Sequence, residues 1–502
     1  MMLTLAWPSA WAYDFEVEST TVGQGYQLRW FRRGQDVFLN RRRLSQSLRL
    51  HVWNILEPSG EPADDRREAP FELYFTSSMR LDHDFGEVTQ GDVAYGAGSQ
   101  REVEPARDVV PELDNSHLAL DVLHAYLGAR GILGFLDLEL GRSLVVDSLD
   151  WFSFDGARAR VRTPWHLSFD GLLGLVVRER GPASSPTHEP DGSSSAECAE
   201  FDEIRGTWVA SRECAQRDEL MPTIGVGIET DGWRWASARL FYRRTVSPTV
   251  EGLYPDSGDQ APDWGVNEEH LSAMVRGHLA DGRASPWMAA RWNFLLAQLD
   301  EAHAGLRLAA AEHALTAEYS YSFPSFEGDS IFNVFSIEPY HDVRLSYDIW
   351  PGRGAWRSHA RAFVRRFENT DLQALEAGEL QDESDTSKGV AAGVQFRGFK
   401  GRARASLFYE TGHGGVRAGG DASTWFRPGE RLELEGRISV IHFDEDLREE
   451  LQGTSLGLQG GGRWILTDGV ALHLILEENV SRLSPGQFRV VGILDLAFQP
   501  EI

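Results

Sequence analysis

The chain has 502 residues, of which 42% are hydrophobic and 25% charged, and its formal net charge is −27. So large an acidic excess disfavours binding to nucleic acids and other polyanions. The chain is too long for one ordinary β-sandwich, and no run of about 18 apolar residues could form a membrane helix.

The first residues are typical of a secretory signal peptide. Residues 1–12 are mostly apolar and end in Ala10-Trp11-Ala12, an A-x-A cleavage pattern, although no basic region precedes it. We therefore predict that residues 1–12 are the remnant of a signal peptide and that the mature domain spans residues 13–502. The alternative is a frayed apolar N-terminus.

Beyond this segment, short stretches of alternating apolar and polar residues follow one another to the end of the chain. Segments 432–440 and 488–498 are two examples. A period of two places the two sets of side chains on opposite faces of a β-strand. Because no helical segment interrupts the alternation, we predict an all-β fold: a single transmembrane antiparallel up-and-down β-barrel with lipid outside and a polar lumen inside.

Turn chemistry predicts the strand count. Clusters of Gly, Asp and Pro that suit tight hairpins occur at 128–131, 163–164, 230–232, 281–282, 351–354, 400–401, 427–429 and 467–469. Long polar stretches lie between them, at 86–114, 179–219, 245–270, 368–388 and 444–450, and carry the whole net charge. Short periplasmic turns and long extracellular loops are typical of outer-membrane barrels, and this spacing predicts about 22 strands, in a range of 18–22.

Tryptophans cluster beside the short turns. Seven lie within a few residues of one, namely Trp165, Trp233, Trp287, Trp350, Trp356, Trp425 and Trp464. Indole rings prefer the membrane–water interface, so this placement favours an aromatic girdle.

A basic group lies near the first predicted extracellular turn. It consists of Arg32, Arg33, Arg41, Arg42 and Arg43. Arginine there could contact the phosphates of lipopolysaccharide through bidentate hydrogen bonds. Ordinary solvation of the barrel rim is an equal alternative.

Three segments resemble a known group of barrels. They read D-V-L-H-A-Y-L-G-A-R at 121–130, L-G-R-S at 140–143 and D-W-F-S-F-D-G-A-R at 150–158. They resemble porin-like barrels of the alginate-export and related outer-membrane families, although Ser143 stands where Gln is usual. Residues 21–50 resemble uncharacterised barrel proteins of myxobacteria. The resemblance covers part of the chain and implies a barrel rather than a particular solute.

The two cysteines, Cys198 and Cys214, lie in one long polar stretch. An exported chain meets an oxidising compartment, so we predict a disulfide that closes a loop of ~17 residues and is worth roughly 3 kcal/mol at most. Two free thiols are the alternative. No spacing of Cys and His suggests a metal site, and we expect no cofactor.

Arginines recur on the polar faces of the predicted strands. The expected lumenal track comprises Arg158, Arg160, Arg162, Arg239, Arg243, Arg357, Arg361, Arg365, Arg402, Arg404, Arg431 and Arg437. Arginine facing lipid at mid-depth costs ~2–4 kcal/mol, so these side chains should face inward. They either pair with lumenal carboxylates and fill the barrel, or form a basic track for anions.

These patterns together favour a porin-like outer-membrane channel for small hydrophilic solutes, with anions or acidic sugars as candidates. The alternative is a structural or adhesive barrel without an open conduit. We do not expect an enzyme, because adjoining Ser and His residues such as Ser116 and His117 are strand neighbours and would point to opposite faces. The expected partners are outer-membrane lipids, lipopolysaccharide and small solutes.

Overall fold

The structure, a computed structural model, describes residues 14–32, 35–55, 71–84, 119–147, 149, 151–177, 199–202, 207–210, 221–230, 232–247, 265–323, 339–352, 354–368, 386–412, 415–444, 452–482 and 486–498. The side chains of residues 27–41, 119–121, 199–202 and 207–210 are not among those described.

The described residues form β-strands joined by turns. In chain order the strands are β1 (Asp14–Arg32), β2 (Gln35–Trp53), β3 (Glu72–Asp84), β4 (Ala119–Ile132), β5 (Leu136–Val146), β6 (Trp151–Arg162), β7 (Leu167–Val176), β8 (Ala199–Asp202), β9 (Thr207–Ala210), β10 (Pro222–Thr230), β11 (Ala236–Ser247), β12 (Gly265–Gly277), β13 (Ala284–Asn293), β14 (Gln298–Ala310), β15 (His313–Ser322), β16 (Tyr340–Ile349), β17 (Trp356–Phe367), β18 (Thr386–Arg397), β19 (Gly401–Gly412), β20 (Gly415–Phe426), β21 (Leu432–Asp444), β22 (Gly453–Thr467), β23 (Val470–Val480) and β24 (Gln487–Phe498). The strands β8 and β9 pair only with each other.

The other strands form one closed antiparallel barrel of 22 strands, which confirms the predicted fold class. Each pairs with its neighbours along the chain, and β1 also pairs with β24, from Val17 opposite Phe498 to Tyr26 opposite Arg489. Across this seam the Thr20 hydroxyl donates a 2.9 Å hydrogen bond to Asp495, which lies 475 positions away in the sequence. Closure removes both sheet edges, so every strand is paired on both sides.

The connections largely alternate in length, as predicted, with the expected exception of the long link between β2 and β3 and with a few short turns, such as that between β13 and β14, at the end that carries the long connections. At one end, called here the short-turn end, β6 and β7 or β22 and β23 are joined by only a few residues. At the other, the long-connection end, β3 and β4 or β17 and β18 are joined by much longer segments. A further long connection, between β15 and β16, was missed because its residues are rich in Phe, Ile and Val and so do not resemble a polar loop.

One predicted turn is wrong. The chain continues as a strand through residues 128–131 and turns after Ile132, at Leu133. Gly128 is there for packing: a Cβ atom on it would lie 2.1 Å from the ring of Tyr74 on the neighbouring strand. The sequence predicted a turn at Gly128, whereas this glycine makes room for the side chain of Tyr74 within a strand.

One face of the barrel is exposed and apolar. Its exposed side chains include Leu173 on β7, Val226 on β10 and Leu407 on β19. At the short-turn end it carries Trp356 and Trp464, and the exposed Trp165, Trp233 and Trp235 lie in the connections there, where the rings of Trp233 and Trp235 stack at 5.4 Å. An apolar band bordered by aromatic rings is the surface that a transmembrane barrel presents to lipid. Trp287 and Trp425, by contrast, share the other face with the arginines of their neighbouring strands.

Candidate functional site: the lumen

Contacts between strands that are not neighbours identify the inner face of the barrel. The guanidinium of Arg291 on β13 donates a 2.6 Å hydrogen bond to the carbonyl of Leu149, in the turn between β5 and β6. Ser272 on β12 donates to Asp147 in the same turn. Several strands separate these groups around the wall, so the side chains can meet only in the lumen.

The predicted arginines lie on this inner face. Strand register places Arg158, Arg160, Arg162, Arg239, Arg243, Arg357, Arg361, Arg365, Arg402, Arg404 and Arg437 there, and Arg431 immediately precedes β21. Some of these arginines contact carboxylates and others do not, and the two groups lie in different parts of the wall.

The lumenal side of β5–β13 is called here the paired wall, because all five predicted arginines on it contact carboxylates. Arg158 Nε donates to Asp170 at 2.9 Å, and the carboxylate of Asp170 is only 5% exposed. Arg239 lies 3.2 Å from Asp147. The remaining pairs are Arg160 with Glu229, Arg162 with Asp137, and Arg243 with Glu268 at 2.5 Å. These charged groups form ion pairs with one another and are therefore not available to bind a solute.

A buried apolar cluster accompanies the paired wall. It consists of Val145, Phe152, Phe154, Leu172 and Phe241, all on the lumenal face. Phe154 is 0% exposed, and the guanidinium of Arg243 lies 4.3 Å from the centre of the Phe152 ring. The paired wall is therefore packed like a protein core, although it faces the inside of a barrel.

The turn from β5 to β6 bends into the lumen above this cluster. Asp147, whose side chain is 3% exposed, accepts a hydrogen bond from Ser272 and pairs with Arg239. Together with the bond from Arg291 to the Leu149 carbonyl, these contacts tie the turn to β11, β12 and β13. The sequence offered no signal for this contact, since a short Val-Asp-Ser-Leu-Asp turn reads as an ordinary hairpin.

The lumenal side of β17–β21 is different and is called here the open wall. Of the predicted arginines, those without a carboxylate partner among the described residues are Arg361, Arg402, Arg404, Arg431 and Arg437, and all are exposed. Arg357 and Arg365, at its margin, pair with Asp348 at 3.0 Å and Asp342 at 3.1 Å. The open wall therefore presents unneutralised positive charge to the lumen.

Strand register brings three of these arginines together. Arg404 lies opposite Ser423, and Ser423 lies opposite Arg437 on the next strand. Arg402 lies opposite Trp425, whose ring centre is 5.6 Å from its guanidinium. Arg402, Arg404 and Arg437 are called here the basic patch. A cavity of 360 Å³ is lined by these three residues and by Gln395, Ser423, Thr424, Trp425, Glu435, Gly436 and Gln459.

The chemistry of this cavity suits an anion with polar substituents. Guanidinium groups bind carboxylates through paired hydrogen bonds, and carboxamides and hydroxyls can bind sugar hydroxyls. The one carboxylate there, Glu435, lies 3.2 Å from Nε2 of His473. A second cavity of 1390 Å³ adjoins it at the short-turn end and shares Gln395, Arg402 and Trp425. Sequence reasoning identified the arginines but missed Trp425, Gln395 and Gln459, which only the register places beside them.

The basic group near the β1–β2 turn has side chains on both faces of the barrel wall. Arg43 faces the lumen and lies 3.3 Å from Asp82, whereas register places Arg42 on the outer face. Arg32 and Arg41 belong to β1 and β2, and nothing is described of their side chains. Arg33, Cys198 and Cys214 lie outside the described residues, so the disulfide and most of the lipopolysaccharide contact stay predictions.

Within the part of the chain that the structure describes, no group of His, Cys, Asp and Glu residues is arranged to hold a metal ion. The same residues contain no helix long and apolar enough to cross a membrane.

No protein-family model matches the chain, and no curated protein matches it in sequence. Solved structures with a similar fold include Pseudomonas aeruginosa OccK7 (OpdD), at a TM-score of 0.41 and 9% identity, covering 97% of this chain and 100% of that one. Acinetobacter baumannii OccAB4 gives 0.38 and 8% over 98% and 100% of the two chains. A BenF-like porin from Pseudomonas fluorescens Pf-5 gives 0.38 and 9% over 97% and 99%.

At such low TM-scores and identities these likenesses support no assignment of solute or assembly. The expected resemblance to alginate-export barrels or to myxobacterial proteins is not shown by them either. What the barrel does has to be inferred from its own side chains.

Proposed function

We propose that the protein is an outer-membrane channel for passive passage of small hydrophilic solutes, and that its lumen favours anions, with acidic sugars as the best-fitting class. The observation that supports this most directly is the open wall. Exposed arginines without carboxylate partners leave positive charge facing the lumen. An exposed apolar belt and closed backbone pairing support the membrane location, and the long connections would be extracellular.

The lumenal arginines should influence ion selectivity more than the acidic residues at the extracellular entrance do. The long polar stretches of the chain carry its acidic excess, which attracts cations at the extracellular entrance. At physiological salt such a field decays over ~8 Å, whereas charge in a confined pore acts on every ion that passes. The basic patch should therefore outweigh the acidic entrance.

The alternative is a structural barrel without an open conduit. The paired wall favours it, because buried phenylalanines and paired charges fill one side of the lumen. The open wall opposes it, since filling that side with apolar groups would bury arginines that have no described partner.

Reversal potentials across planar bilayers under a salt gradient test the proposal. We expect anion preference from the wild type and several-fold weaker preference after Arg402→Gln, Arg404→Gln and Arg437→Gln are combined. Arg244→Gln is the matched control, because strand register places Arg244 on the outer face of β11. Cation preference, or an unchanged potential in the triple variant, would contradict the anion track. Absence of conductance in correctly folded protein would favour the structural barrel.

A further inference from the structure

Two cations lie on the outer face of the barrel near the long-connection end. Arg366 is the second-last residue of β17, and Lys388 lies near the start of β18. Both are exposed, and register places both on the face that carries Val343, Val364 and Val390. Neither makes an ion pair or hydrogen bond within the described part of the chain.

The two cations are close enough to bind one group. Lys388 pairs with Val364, and Arg366 pairs with Thr386, so the two residues are diagonal neighbours across adjacent strands. Diagonal neighbours lie about 7–8 Å apart, within reach of two long side chains. The nearby Glu368 carboxylate accepts a 2.6 Å hydrogen bond from His341 and forms no ion pair with either cation among the described residues.

Polar aromatic groups border the cations on the other side. Tyr319 and His341 are joined by a 2.8 Å hydrogen bond, and the ring of Tyr321 lies 5.0 Å from that of His341. Tyrosine and histidine at this level are suited to the headgroup region, where one end of the side chain contacts lipid and the other contacts water.

Directly below the cations the outer face is hollow. Ala362 and Ala392 come after Val364 and Val390 on the way down the two strands, and Ala360 follows. These alanines, with Leu345, Tyr347, Leu407 and Tyr409, line a cavity of 500 Å³. Its position, one residue pair below Lys388, gives the surface a charged upper end and an apolar lower end.

We propose that this surface is a binding site for lipopolysaccharide. Arg366 and Lys388 bind a phosphate of its acylated sugar headgroup, and one acyl chain lies in the alanine-lined groove. This assignment rests on the proposed outer-membrane location, in which the long-connection end faces the lipopolysaccharide leaflet. Paired cations bind phosphate through charge-assisted hydrogen bonds, and the groove accepts a chain that a flat barrel wall would not.

Native mass spectrometry of the detergent-solubilised barrel, titrated with bis-phosphorylated lipid A, tests the site. We expect Arg366→Gln combined with Lys388→Gln to weaken lipid A binding about tenfold or more, because charge-assisted hydrogen bonds are lost. Arg244→Gln, on the outer face near the same end of β11, should bind as the wild type does. Equal binding by all three proteins would overturn the site.

A second pair of variants tests the groove without changing charge. Ala362→Phe fills it and should lower lipid A binding, whereas Ala290→Phe, on the outer face of β13, should not. Equal affinity for phosphatidylglycerol and lipid A would replace the proposed occupant with a glycerophospholipid. Heat-modified migration on gels verifies that each variant is folded.

Conductance separates this inference from the proposed function. The lipid-site variants should conduct as the wild type does, since they leave the lumen unchanged. A barrel that binds lipid A through Arg366 and Lys388 but passes no current would refute the channel and keep the lipid site. A conducting barrel whose lipid binding ignores both substitutions would do the reverse.

Discussion

The paired wall and the open wall are built from the same residue types on the same fold, yet their arginines are in different states. On the paired wall Arg158 contacts Asp170, and Phe154 is fully buried. On the open wall Arg404 has no carboxylate partner among the described residues, and Phe408 is partly exposed to the lumen. A carboxylate contacts each predicted arginine of the paired wall, whereas on the open wall Asp421, diagonal to Arg404, accepts a hydrogen bond from Ser406 instead.

The largest contrast should come from the two phenylalanines. Phe154→Ala should lower the free energy of unfolding by about 3–5 kcal/mol, because it leaves a cavity in a packed cluster. Phe408→Ala should cost no more than about 1 kcal/mol, since its ring already contacts solvent. Urea unfolding in detergent or liposomes measures both. Equal losses would mean that the two walls are equally packed.

The next contrast concerns the charges. Arg158→Gln should cost about 2–3 kcal/mol, because it leaves the buried carboxylate of Asp170 without its main partner. Arg404→Gln should stay within about 0.5 kcal/mol while changing ion selectivity. Adding Asp170→Asn to Arg158→Gln should restore part of the lost stability in a double-mutant cycle, and additive losses would show that the two side chains do not interact.

A smaller effect is expected at the inward turn. Asp147→Asn weakens its contacts with Arg239 and Ser272, and should cost about 1–2 kcal/mol. The released turn should also increase the current noise of single channels. The control is Asp348→Asn, which removes the more exposed pair with Arg357 and should cost no more than about 1 kcal/mol without added noise. Quiet channels in Asp147→Asn would show that the turn does not border the conduit.

The smallest effect should appear at Trp425. Its ring lies beside Arg402 in the cavity, and an exposed contact of this kind is worth about 0.5–1 kcal/mol. Trp425→Leu should therefore shorten the dwell time of an acidic sugar in single-channel recordings by about two- to five-fold. An unchanged dwell time would place the solute path away from the basic patch.

Alternation in the sequence predicted the barrel, the strand count and the inward face of the arginines, because side chains on a strand have a strict period of two. It could not predict which arginines would be paired. Asp170 neutralises Arg158 because β6 and β7 pair in one particular register, with Arg160 opposite Asp170 and Arg158 one pair away. A shift of two residues would keep every side chain on the same face and change every charge contact.

The sequence also could not predict contacts between strands that are distant in the chain. Asp147 has no neighbour in the sequence that indicates Ser272 or Arg291, and the bend of its turn into the lumen becomes visible only in three dimensions. The grouping of Trp425 and Gln395 with the basic patch has the same origin. A tryptophan beside a short turn was read as a membrane girdle residue, although the odd-numbered positions of β20 face inward.

The hydrogen bond from Thr20 to Asp495 has a consequence for how the molecule is made. Its two residues are separated by 475 positions, so β1 cannot meet its second neighbour until β24 has been synthesised and positioned. Every earlier intermediate has two unpaired edges, and such edges template aggregation. The seam therefore makes ring formation a late and slow event, governed by loop-closure entropy. Deletion of β24 alone should leave a chain with 21 correctly encoded strands that accumulates as an open, aggregation-prone sheet.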